Sequence, residues 1–217
     1  MMKFPKSETI MTKILTTLLY SSLIATSAPL DGQGTFQNLD FEQAQLIFPP
    51  NDSTQVFAAD ALPGWTVYEG TNQLSLVFYN YAPNSPAAGL FGPGSSLVLD
   101  GNYSAFVNGD TVSQTGLIPA DAASLLFDLR PGWFAPALHV SLNGQDLSYR
   151  TTQDGLLGAD ISAFAGQTAT LTFSGFGLFD DIQFSSELIP EPSPSWLLFL
   201  GSGVWFYVRH RGQTVKS

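Results

Sequence analysis

Two neighbouring acids, Asp180 and Asp181 in the stretch FDDIQF (179–184), are the residues whose type and spacing most call for chemistry. Adjacent carboxylates repel unless a cation or hydrogen-bond donors offset them. Between Pro29 and Glu187 the basic side chains are Arg130 and Arg150 alone, against sixteen acids, a net of −14. A hard cation such as calcium, which takes oxygen ligands, is one partner that would answer the repulsion. An edge strand with both carboxylates in water is the competing reading. In strand alternation Asp180 shares the parity of Ile182 and Phe184, so it is expected to point inward with them and Asp181 the other way. Aromatic rings are the second class of candidate, because a sugar presents an apolar C–H face that stacks on them. Trp133, in the turn-like RPGWFAP, and the cluster Tyr79, Tyr81 and Tyr103 fit that role, with packing in core or loops as the alternative. Trp65 is assigned to the core.

Catalytic residues are not expected. His139 is the one histidine outside the C-terminal tail and stands in the strand-like ALHVSLN, with no nucleophile motif beside it. No local spacing among the acids selects a pair for glycoside hydrolysis. No glycine-rich loop precedes a helix, so a phosphate cradle is absent. The chain has no cysteine, which excludes disulfides, thiolate metal sites and cysteine nucleophiles. A domain this acidic repels phosphate backbones, and nucleic acid is excluded as a partner.

The elements that must position these residues read as strands. Apolar or alternating runs occur at 65–69, 73–79, 95–100 (SSLVLD), 123–130, 137–143, 145–150, 169–175 and 179–184, separated by turn signals such as LPGW, DGNY, VNGD and RPGW. Asn143-Gly144 marks a two-residue hairpin. GADISAFAG (158–166) could make one short helical turn, and no internal repeat is visible. Eight or more short strands at this spacing predict an all-β fold, a β-sandwich of the jelly-roll class, over residues 35–188.

Both ends read as addresses. Lys13, the apolar stretch from Ile14 to Ala25 and the small residues Thr26 to Ala28 have the layout of a secretory signal peptide, residues 1–28, starting at Met1 or Met11; signal peptidase is the implied partner. At the other end Trp196–Val208 carries no charge and, at about 20 Å as a helix, is short against a hydrocarbon core of roughly 30 Å. Trp196, Trp205 and Tyr207 suit interfacial positions, and Arg209, Arg211 and Lys216 would stay in the cytoplasm, leaving the middle outside. Pro190 and Pro192 forbid helix, so the segment before the apolar run stays extended.

Pro190, Glu191, Pro192 and Ser193, then the apolar run, then Arg209 and Arg211 resemble the PEP-CTERM sorting signal of Gram-negative bacteria. That resemblance, over residues 189–217, implies processing by a membrane enzyme of the exosortase type and a place in the cell envelope or at the surface, often beside extracellular polysaccharide. An ordinary C-terminal anchor that is never cut is the alternative. The middle is similar to the galactose-binding-like jelly roll of carbohydrate-binding modules: Asn38, Phe41, Glu42, Gly64 and Trp65 match its start, and Asp180, Asp181 and Ile182 its end. The similarity implies a structural calcium where first and last strands meet, with Glu42 and Asp180 or Asp181 as ligands, and extracellular polysaccharide as ligand. The expected function is an exported, non-enzymatic β-sandwich protein; a surface protein without ligand, or a hydrolase whose site is not legible, are the alternatives.

Overall fold

A computed structural model describes residues 33–83, 86–131 and 137–189. The expected signal peptide, the motif residues Pro190, Glu191, Pro192 and Ser193, the apolar run, Arg209, Arg211 and Trp133 lie outside the described residues. Among the described residues no helix is long and apolar enough to cross a membrane.

The described chain is all-β apart from two short turns of helix. Its strands are β1 (Gln55–Phe57), β2 (Thr66–Glu69), β3 (Asn72–Gln73), β4 (Leu76–Tyr79), β5 (Ala87–Phe91), β6 (Ser104–Leu117), β7 (Ser124–Pro131), β8 (Ala137–Leu142), β9 (Gln145–Asp146), β10 (Tyr149–Thr151), β11 (Leu157–Asp160) and β12 (Thr168–Ser185). The helical pieces are α1 (Ala58–Ala61) and a 3-10 turn at Ser162–Phe164. One hydrogen-bonded path runs β1-β4-β5-β6-β12-β7-β11-β10. The β2–β3 pair joins the second half of β6, and β8–β9 joins the first half of β12. The β4–β5 ladder is parallel, and the others are antiparallel.

The long strands β6 and β12 form the spine, and a shared irregularity bends it. Ser174 faces Thr111 and Phe176 faces Asn108, so Gly175 stands opposite both Gly109 and Asp110. This β-bulge uses left-handed backbone at Gly109 (φ 89°) and Gly175 (φ 88°), which a side chain would resist. Phe173 and Phe179 would be about 20 Å apart on a straight strand. Instead their rings stack with centroids 4.2 Å apart and planes 5° apart. The ribbon is therefore folded over, and its two halves face each other across the core. Trp65 packs edge-on against Phe173, and its Nε1 donates to the Asn38 carbonyl at 3.0 Å. Phe127 also meets Phe173, and Phe41 meets Phe179.

The segment 36–39 meets the second half of β12. Ile182 N donates to Leu39 O at 3.1 Å, and Phe36 packs on Phe184. Asn143-Gly144 turns the β8–β9 hairpin with φ of 50° and 77°, as the two-residue loop requires. Three expectations are corrected. VNGD is no turn but the bulge inside the continuous β6. The run 95–100 pairs with no strand; Leu97, Val98 and Leu99 instead lid a second apolar cluster of Ala87, Phe91, Phe106 and Leu178. The segment 169–184, read as two strands, is one strand with two bulges.

The folded ribbon makes Phe173 costly to truncate. Phe173→Ala should lose about 3 to 5 kcal/mol in urea denaturation, whereas Thr172→Ala, its neighbour on the outward face, should stay within about 0.5 kcal/mol.

Candidate functional site

Asp180 and Asp181 stand at the second irregularity of β12. Asp180 pairs with Asp128 and Gln183 with Leu126, so Asp181 and Ile182 together oppose Phe127 alone, and Asp181 takes a left-handed φ of 47°. The extra residue resets alternation. Phe179, Ile182 and Phe184 all join the main core, whereas Asp180 follows Leu178 onto the opposite face, under the 97–99 lid. The expected shared parity of Asp180 with Ile182 and Phe184 is thus wrong about the face, although Asp180 is buried, at 1% exposure.

Beneath the lid Asp180 is met by donors. Ser104 Oγ donates to Oδ2 at 2.5 Å, Asp181 N to Oδ1 at 2.8 Å, and Asp100 N to Oδ2 at 3.4 Å. Burial nevertheless dominates and pushes the carboxyl up to about 7; the three donors pull down, and the Asp100 carboxylate pushes up again. The Asp181 carboxylate accepts from Gln183 Nε2 at 2.7 Å.

Glu42 serves the other end of the same turn. Its Oε1 accepts from Asn102 N at 2.6 Å and Tyr103 N at 2.9 Å, and its Oε2 from Asn102 Nδ2 at 2.8 Å. Burial raises Glu42, but these donors outweigh it and hold the group below the ordinary carboxylate range. The turn needs Gly101 for its left-handed backbone, φ 59°, and a Cβ there would also press on the Glu42 carboxylate. Glu42 and Asp180 therefore clamp one turn, Asp100–Tyr103, from two sides. Ser104, Asn102 and Asp100 belong to this site although the sequence reading did not select them; the DGNY turn was the available signal. A calcium ion needs oxygens beyond these two side chains, because calcium takes roughly six to eight ligands. Among the described residues no group of three or more Asp, Glu or His side chains converges on one point.

The tyrosines divide. Tyr79 packs edge-on against Phe48 and lies with Tyr103 around Gly92, where burial raises its phenol above the ordinary range. Tyr81 sits apart, 49% exposed, with its ring 5.6 Å from Phe78. Since Phe78 and Tyr79 alternate on β4, Tyr81 and Tyr79 do not share a platform. His139 is exposed on β8, level with Ser174 and Thr111. A groove of about 280 Å³, lined by Pro119, Asp121, Gln183 and Ser185 among others, includes none of the tyrosines, Glu42, Asp180 or Asp181.

A further acid went unselected. Asp110, in the first bulge, is 2% exposed, and its Oδ1 has no hydrogen-bond partner. Burial first, then Glu69, raises it to about 6. No family model, no curated protein and no solved structure matches the chain.

The titrations have opposite signs. Asp180 and Asp110 bind protons more tightly folded than unfolded, so their stabilising contribution is complete below the ordinary aspartate range and is lost as pH rises through about 6 and about 7. Glu42 behaves in reverse and weakens the fold as pH falls through its lowered value. Thermal melting should therefore show greatest stability near about pH 4, with Asp180→Asn flattening the decline between about pH 4 and pH 7.

Proposed function

We propose that the chain is an exported, non-enzymatic protein of the Gram-negative cell envelope, a jelly-roll β-sandwich carried out by a cleavable leader and sorted by its PEP-CTERM-like tail. The observation that carries this reading is the order of parts along the chain: an apolar leader, a cysteine-free acidic domain, then Pro190–Ser193, the apolar run and Arg209 with Arg211. The folded-over ribbon, with two facing halves around one core, supports the jelly roll as the finer description of the all-β fold. Exosortase-type processing enzyme and signal peptidase are the partners of the two ends.

The domain's own task is to hold extracellular polysaccharide. Tyr81, exposed and backed by Phe78, supports this as a stacking platform, ahead of Tyr79 and Tyr103, whose rings are committed to packing. Trp133 remains a platform candidate from the sequence. A structural calcium is the second reading, favoured by Asp180, a buried carboxylate with the Asp100 carboxylate pressing on it. Thermal melting at about pH 8, where Asp180 is ionised, should then give a higher midpoint with calcium than with a chelator, and equal midpoints in Asp180→Asn; no calcium response in the unaltered domain removes the metal from the account.

Two measurements test the proposal. Fractionation of a host carrying an exosortase should place the chain in the envelope, and Arg209→Glu with Arg211→Glu should disturb its orientation or retention; full-length protein remaining in the cytoplasm would defeat the sorting reading. In affinity electrophoresis through a neutral or acidic polysaccharide, Tyr81→Ala and Trp133→Ala should each weaken retention by about 1 to 3 kcal/mol. Retention unchanged by both would dismiss these rings as platforms.

A further inference from the structure

Beyond the end of β12 the chain does not simply leave the domain. Ser185 O accepts from Ala123 N at 2.8 Å, and Glu187 N donates to the Ser185 hydroxyl at 3.1 Å. The Glu187 carbonyl accepts from Ser124 Oγ at 2.8 Å, and the Ile189 carbonyl accepts from Arg150 Nη2 at 2.9 Å. Leu188 between them is 70% exposed, while Ile189 turns back onto the sheet. Its resting place is built by a missing side chain. Arg150, Gly158, Leu126 and Gln183 occupy one row across β10, β11, β7 and β12. At Gly158 the row dips: a Cβ there would come within 2.5 Å of Ile189 Cδ1, 3.0 Å of Thr152 Cγ2 and 3.1 Å of Leu126 Cδ2. A glycine inside a strand where other atoms approach this closely is a fitted position. Of the two basic residues between Pro29 and Glu187, one is thus used on a backbone carbonyl next to Pro190.

We propose that Glu187–Ile189 is a latch, seated in the Gly158 socket and pinned by Arg150 and Ser124, that withholds the chain just before the Pro-Glu-Pro motif from processing enzymes until it peels off the folded domain. The part of this that concerns tail removal rests on the sorting reading; the latch itself rests on the contacts alone. A protease must draw several residues on either side of the scissile bond into an extended conformation in its own cleft. The Glu187–Leu188 peptide cannot enter one while its carbonyl is held by Ser124 and the next residue but one is held by Arg150. Cleavage then follows the population of the peeled state, and any substitution that fills the socket raises that population.

The experiment uses the full chain in detergent micelles and a glutamate-specific endoprotease. Glu191 precedes Pro192, a poor site for such an enzyme, so hydrolysis after Glu187 reads the latch, and hydrolysis after Glu69, exposed where β2 turns into β3, reads opening elsewhere in the domain. Gly158→Val should speed the Glu187 cut by about tenfold or more with the Glu69 cut unchanged, and Arg150→Met should also speed it. Equal Glu187 rates in the unaltered chain and both variants would overturn the latch. Should Gly158→Val prove unstable, Arg150→Met with the Glu69 control decides alone. In a host with an exosortase, tail removal should be faster in the variants. Tail removal at an unchanged rate, with the Glu187 cut accelerated, would overturn the link to processing but leave the sorting reading standing. Absence of tail removal in every chain would overturn the sorting reading, and the protease rates would still decide the latch.

Discussion

The bend in the β6–β12 ribbon is the constraint on which the rest of the structure depends. Two long neighbouring strands can enclose a core only if they turn back, and here Gly109 and Gly175 supply the backbone that lets them do so. The Phe173–Phe179 stack is the result of the turn and its principal reinforcement, since each ring closes a different half of the core. Every later element is hung on one half or the other: β5, β4 and β1 beside the first part of β6, β7, β11 and β10 beside the second part of β12. The bend also has a cost. It buries Asp110 with an oxygen unpartnered, in a chain already rich in negative charge.

A second economy runs through the acidic residues. Glu42 and Asp180 are both spent on one turn, which carries the apolar lid 97–99 and so covers the outward face of the ribbon. With two basic side chains available across the domain, backbone N–H groups, a hydroxyl and an amide rather than cations meet Glu42 and Asp180. The fold consequently favours mildly acidic surroundings, where Asp180 and Asp110 are protonated while Glu42 remains ionised.

How far the sequence was legible follows from what is local. β2, β7, β8 and the Asn143-Gly144 hairpin are written in alternation and turn chemistry, and those were read correctly. The same logic failed at VNGD and at the 179–184 run, because a glycine or an Asx residue with left-handed backbone marks a bulge as readily as a turn, and only the partner strand decides between them. Alternation also failed at Asp180 for this reason: one extra residue, Asp181, moves its neighbour to the other face. The 97–99 run is as apolar as a strand, yet it serves as a lid because β6 already has β5 and β12 at its edges there. Gly158 and Ile189 are 31 positions apart in sequence, and nothing local links them. The division of the tyrosines and the isolation of Asp110 are likewise set by register, which composition does not carry.

The described residues end at Ile189, one residue before Pro190, and a folded module between two removable ends is what we propose. That claim is most directly tested by the intact mass of the protein recovered from the envelope of a Gram-negative host with an exosortase. The account predicts a single species that has lost its leader up to about Ala28 and its tail from near the Pro-Glu-Pro motif, with the tail retained when the processing enzyme is absent. A full-length mass in both hosts, or loss of residues from within the β12 segment, would contradict it.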